Sequence, residues 1–145
     1  MTMIRATAVA SSNSGDPADD VVLDFHHRHR RRLSMKTTSG REFLLDLPKA
    51  RALKNNDVLV LDDGSRVRVV AAEEAVMRIT AGDAKTLMRL AWHIGNRHLA
   101  AEIHADHIVM AEDQVIANMV RGLGGHVSLT RGPFQPEGGA YDHGH

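Results

Sequence analysis

Apolar and polar residues alternate at short intervals through the first half of the chain. Residues 4–9 alternate weakly and read as a strand. Val21, Val22 and Leu23 form a second short apolar run of strand type. Residues 33–38 and 42–47 are alternating runs joined by Ser39-Gly40, a hairpin signal, and Pro48 is expected to end the second run. Residues 57–61 and 66–70 repeat that arrangement around Asp62-Asp63-Gly64. Ser11-Ser-Asn-Ser-Gly-Asp-Pro17 has the composition of a loop.

The period changes near Thr80. Thr80-Ala-Gly-Asp83 resembles a helix-start box, with Thr80 as the cap and Asp83 reaching back. Leu87, Leu90, Ala91 and Ile94 then recur at helical spacing. Gly95 is expected to stop this helix in the left-handed conformation. Residues 99–103 and 107–110 read as strands. Glu112 and Asp113 place negative charge at the start of a second helix, where the peptide dipoles favour it. Its apolar face is Val115, Ile116, Met119, Val120 and Leu123, and Gly124-Gly125 ends it. Residues 126–130 form a last strand. With residues 67–80 supplying a leading strand, the second half reads strand-helix-strand-strand-helix-strand, the ferredoxin-like order.

The class is therefore α+β. A small β-rich N-terminal domain spans residues 1–76. A ferredoxin-like βαββαβ domain spans 77–131. Residues 132–145, rich in Gly and Pro, form a flexible tail that carries His143 and His145.

Composition narrows the chemistry. The chain has 145 residues, 43% apolar and 25% charged, in the range of a soluble globular protein. Aromatics are only 3%, so aliphatic residues and Met must make the core. Formal net charge is zero, which argues against a dedicated nucleic-acid binder. The absence of Cys excludes disulfides, thiolate metal sites and cysteine catalysis. The N-terminal apolar run is too short for a signal peptide, and no run approaches the roughly 18 apolar residues of a membrane helix. A cytoplasmic protein is expected. Phosphate-binding loop, nucleophile elbow and dinucleotide fingerprint are missing, and no carboxylate pair is singled out for acid–base work.

Ten histidines remain as candidate ligands. His98 follows a helix end and opens a strand. Alone it makes a surface histidine with one hydrogen bond; duplicated across a twofold axis it supplies two nitrogens to a metal. His143 and His145 sit on the tail, either as solvated residues or as arms that complete a coordination sphere. His93 lies near a helix C-terminus, where its charge suits the dipole without any metal. His104 and His107 bracket Ala105-Asp106; a polar turn is the favoured reading, and chelation requires the backbone to turn between them. Residues 26–32, His-His-Arg-His-Arg-Arg-Arg, put Arg28, Arg30, Arg31 and Arg32 in one positive stretch. It reads as a patch for a nucleic acid or an acidic protein, or as a charged sheet edge that resists aggregation. No aromatic interleaves with it, so base stacking is not expected.

These residues carry a resemblance. Leu90-Ala-Trp-His-Ile-Gly-Asn-Arg-His98, Asp113-Gln-Val-Ile116, Leu123-Gly124 and Gly132-Pro-Phe-Gln-Pro-Glu-Gly-Gly-Ala-Tyr141 are similar to the urease accessory protein E family, the nickel metallochaperones of urease maturation. Arg30-Arg-Arg-Leu33, Leu44-Leu-Asp-Leu-Pro48 and residues 67–73 extend the likeness over nearly the whole chain. The resemblance implies a homodimer through the second domain and a Ni(II) ion bridging two copies of His98, with His143 and His145 adding ligands. Zn(II) or Cu(II) would enter the same imidazole site in vitro, since the intrinsic affinity order favours copper. It implies partners too: other urease accessory proteins, including the nickel-loading GTPase, and apo-urease, with neither nucleic acid nor membrane. No catalysis of its own is expected. Relatives often carry Asp-His-Val where this chain has Asp113-Gln114-Val115, so no auxiliary ligand is expected there. The alternative is an interaction adaptor that works through the basic 26–32 region, with metal binding incidental.

Overall fold

The alternating runs of the first half assemble into one six-stranded sheet. In chain order its elements are β1 (Arg5–Ala10), β2 (Asp19–Leu23), a short helix α1 (Phe25–Arg28), β3 (His29–Lys36), β4 (Glu42–Ala52), β5 (Val58–Leu61) and β6 (Arg66–Ala71). The strands lie in the order β2-β6-β5-β1-β4-β3, so β2 and β3 are the edges. The computed structural model describes residues 3–10 and 16–137. The part of the expected 11–17 loop before Asp16 lies outside the described residues. The chain divides between Ala72 and Glu73 into two units.

Both expected hairpins are present. β3 pairs antiparallel with β4, Lys36 opposite Glu42, and β5 pairs antiparallel with β6, Leu59 opposite Val67. Every second residue of β4 turns inward, so Phe43, Leu45 and Leu47 are buried together with Leu59, Val67 and Val69. Removing each such side chain from water stabilises the unit by about 1.5–3 kcal/mol before entropy is counted.

Pro48 does not end β4, which runs on to Ala52. The register explains why. Arg30 lies opposite Arg51 but Arg32 opposite Asp46, so residues 47–50 bulge against Arg31 alone. A bulge has no ladder bond for proline to break.

The second unit follows the expected order with shorter strands. Its elements are β7 (Glu73–Thr80), α2 (Ala84–Asn96), β8 (Glu102–Ile103), β9 (Ile108–Ala111), α3 (Gln114–Gly122) and β10 (His126–Pro133). The sheet runs β10-β7-β9-β8, all antiparallel. This is the ferredoxin-like βαββαβ arrangement. The expected strand over 99–103 is only the pair Glu102–Ile103, and the leading strand is broken at Ala72 rather than continuous from residue 67. The core joins Met77 and Ile79 of β7, Leu90 and Ile94 of α2, Ile108 and Met110 of β9, and Ile116 and Val120 of α3.

Helix starts depend on single carboxylates. Asp83, not Thr80, caps α2: its Oδ1 accepts the Thr86 N–H at 2.7 Å. That bond holds the Asp83 carboxyl below its usual range. Asp113 caps α3 in the same way, accepting from Ile116 N–H at 3.1 Å. No helix among the described residues is long and apolar enough to cross a membrane.

Candidate metal centre

The end of α2 sets the position of His98. Gly95 was the expected stop, but it stays inside the helix. Arg97 is the C-cap, and His98 follows at φ 59°. The His98 N–H donates to Gly95 O at 3.0 Å, and the Leu99 N–H donates to Ile94 O at 3.4 Å. This pair of bonds is the Schellman ending, whose left-handed position is usually glycine. Ile94 and Leu99 belong to one apolar cluster, which closes the motif. His98 is exposed, so its ring stands outside the core while its backbone is locked.

One face of α2 faces solvent with apolar groups. Leu90 and Ile94 point into the core, whereas Met88 is 72% and Trp92 63% exposed. Met88 and Trp92 are one helical turn apart on the way to the His98 turn. His93 is half-buried, its ring edge-on to Trp92 at 5.1 Å.

The expected flexible tail over 132–145 is corrected at its start: β10 runs on to Pro133, and residues 134–137 are held against this region. Phe134 is buried, the Gln135 N–H donates to Glu102 Oε2 at 2.9 Å, and the Glu137 N–H donates to Ala101 O at 2.8 Å. Ala101 is three residues beyond His98, a separation of at most about 10 Å along the chain. His143 and His145, the tail candidates, lie outside the described residues. Their distance along the chain from Glu137 is six and eight residues, so they reach at most about 20 and 28 Å from it.

His104 and His107 occupy the turn between β8 and β9, with the His104 N–H donating to His107 O at 2.9 Å. The turn that chelation required is therefore present. Among the described residues, no three His, Asp or Glu side chains converge on a metal position. His98 thus brings a single imidazole, with no second ligand converging on it among the described residues.

The basic stretch is divided by the fold. Arg28 ends α1 and is buried at 2% exposure, its guanidinium donating to Leu23 O at 3.0 Å. A surface patch that includes Arg28 is therefore corrected: that side chain ties α1 to the end of β2. Arg30, Arg31 and Arg32 are exposed on the edge strand β3. All three are exposed despite the alternation of a strand, and Arg31 Nη1 reaches across the bulge to donate to Leu47 O at 3.4 Å. No signal in the sequence separates Arg28 from its neighbours.

Comparison with known proteins places this geometry in a family. Residues 3–72 match the N-terminal domain and residues 74–145 the C-terminal domain of the UreE urease accessory protein. The urease accessory protein UreE of Bradyrhizobium sp. (strain ORS 278) is 53% identical over 141 residues, covering 96% of this chain and 67% of its own length. That of Rhodopseudomonas palustris (strain HaA2) is 52% identical over 145 residues, covering 99% and 67%. That of Chelativorans sp. (strain BNC1) is 47% identical over 144 residues, covering 99% and 90%. The chain belongs to the UreE urease accessory protein family.

Proposed function

We propose that this protein is a nickel metallochaperone of urease maturation, without catalytic activity, acting in the cytoplasm. It binds Ni(II) at a homodimer seam and delivers it for assembly of the urease active site. The observation that carries the reading is His98, an exposed imidazole on a backbone position that ordinarily belongs to glycine. Holding an L-residue there costs about 1–2 kcal/mol, and such strain concentrates at functional positions.

One imidazole holds a metal weakly, and a twofold axis supplies the second. The exposed Met88 and Trp92 support a seam beside His98, because aromatic and Met side chains are enriched at interfaces. The tail base supports the rest. With Glu137 pinned beside Ala101, His143 and His145 are within chain reach of His98. Tail imidazoles then close over the ion and are replaced one at a time by the ligands of a receiving protein. Ni(II) never has to pass through bulk water as the free ion. The receiving partners are the other urease accessory proteins, including the nickel-loading GTPase, and apo-urease. Zn(II) and Cu(II) compete for the imidazoles in vitro, and the nickel assignment rests on the family.

A second reading has its own observation. Arg30, Arg31 and Arg32 are successive exposed cations on an edge strand, which suits docking of an acidic partner. Replacing all three by Gln would abolish partner docking and leave metal binding intact if the protein were only an adaptor. Native mass spectrometry with and without Ni(II) tests the main reading: a nickel-bearing dimer is expected, and a monomer under both conditions would overturn it.

A further inference from the structure

The turn between β8 and β9 carries chemistry that the His98 site does not use. The rings of His104 and His107 lie one over the other, 4.3 Å apart between centroids and 9° from parallel. Each ring has a carboxylate on one nitrogen. His104 Nε2 is 2.8 Å from Glu102 Oε1, and His107 Nδ1 is 2.6 Å from Asp106 Oδ1. An ionised carboxylate only accepts, so the nitrogen facing it carries the hydrogen. In the neutral rings this leaves His104 Nδ1 and His107 Nε2 as the basic nitrogens. A carboxylate fixing the far nitrogen is the arrangement that accompanies metal-bound histidine.

We propose that His104 and His107 form a second site for a divalent transition-metal ion in each protomer, separate from His98 and requiring neither the dimer nor the tail. The class of ligand is an imidazole-preferring ion such as Ni(II), Cu(II) or Zn(II). Rings in parallel planes do not converge their lone pairs, so binding requires the His104 ring to turn while its Nε2 keeps the Glu102 carboxylate. The His104 side chain, 44% exposed, has room to do so, whereas that of His107 is 20% exposed. With no third protein ligand converging among the described residues, water completes the shell and the ion exchanges readily. The site also borders the tail base. Glu102 holds His104 with one oxygen and the Gln135 N–H with the other.

The test uses the full chain carrying His98→Ala, His143→Ala and His145→Ala, which removes the other proposed ligands. Zn(II) is titrated while the imidazole nitrogens are followed by NMR. Saturable shifts of His104 Nδ1 and His107 Nε2 are expected. Adding His104→Ala should abolish them at His107, and adding Glu102→Gln should weaken binding about 10–100-fold. Unshifted nitrogens at His104 and His107, or equal Zn(II) affinity after His104→Ala, would overturn the site. Because the background variant already lacks His98, these outcomes leave the dimer-seam reading untouched.

Discussion

His98 and Gly124 occupy the same position in two helix endings of the same kind. After α3 the Gly124 N–H donates to Arg121 O at 3.1 Å and the Gly125 N–H to Val120 O at 2.9 Å. After α2 the same bonds run from His98 to Gly95 and from Leu99 to Ile94. Gly124 sits at φ 95° and His98 at φ 59°. One ending uses the residue the backbone prefers; the other places an imidazole there. His98→Gly should therefore retain stability or gain up to about 1 kcal/mol, because the strain it relieves is partly offset by the entropy of glycine. The same variant should lose the Ni(II) proposed for the dimer seam. Urea denaturation beside a metal titration checks both halves, and a large loss of stability would mean that the ring itself supports the fold.

Gly125 makes a different demand. A Cβ there would lie 2.7 Å from both Leu90 Cδ1 and Val120 Cγ1 and 3.2 Å from Val120 O. Two core side chains and a carbonyl must move to admit a methyl group. Gly125→Ala is expected to destabilise the second unit by about 1–3 kcal/mol. Gly95→Ala, where a Cβ meets nothing within 4 Å, is the control that should not.

Phe134 anchors the start of the tail. It is 2% exposed, and the chain after it is fixed to Glu102 and Ala101. Phe134→Ala should cost about 3–5 kcal/mol. It should also release residues 135–137, so that the Gln135 and Glu137 amides lose protection in hydrogen exchange. Protection that survives the substitution would show that the two backbone bonds suffice.

Acid should weaken the first unit within a defined window. Hydrogen bonds from the Ser39 and Thr37 hydroxyls lower Asp19 to about 2, and bonds from Ser65, aided by Arg41, lower Asp63 to about 2. Both carboxyls are depressed from an ordinary 3.8, so the folded state binds fewer protons than the unfolded chain. Their stabilising contribution is complete above about pH 4 and is lost as pH falls toward about 2. Urea midpoints should fall through that interval, less steeply in Asp63→Asn. An identical slope in the variant would assign acid sensitivity to other groups.

Much of this was legible locally. The β3–β4 and β5–β6 hairpins follow from alternation and short polar turns, and both long helices follow from apolar spacing. Helix ends were not, because Thr80 or Asp83, and Gly95 or His98, differ only in which backbone takes a particular dihedral. Pro48 misled because a bulge is a pairing between strands, invisible in either one. Arg28 misled because burial of one arginine in a basic run depends on a carbonyl supplied by Leu23. His98 was legible as a candidate, but its left-handed backbone was not. The stacking of His104 on His107 needed the turn in three dimensions.

The proposed function depends on a nickel ion shared by two copies of His98. A calorimetric Ni(II) titration of the protein beside His98→Ala, with dimer mass measured in parallel, tests it most directly. About one tight ion per dimer is predicted for the unsubstituted protein, as a twofold seam allows. The variant should lose that ion while remaining dimeric. Equal tight binding by the variant would contradict the account, leaving His98 a structural helix ending and the three exposed arginines of β3 as the feature that defines the protein.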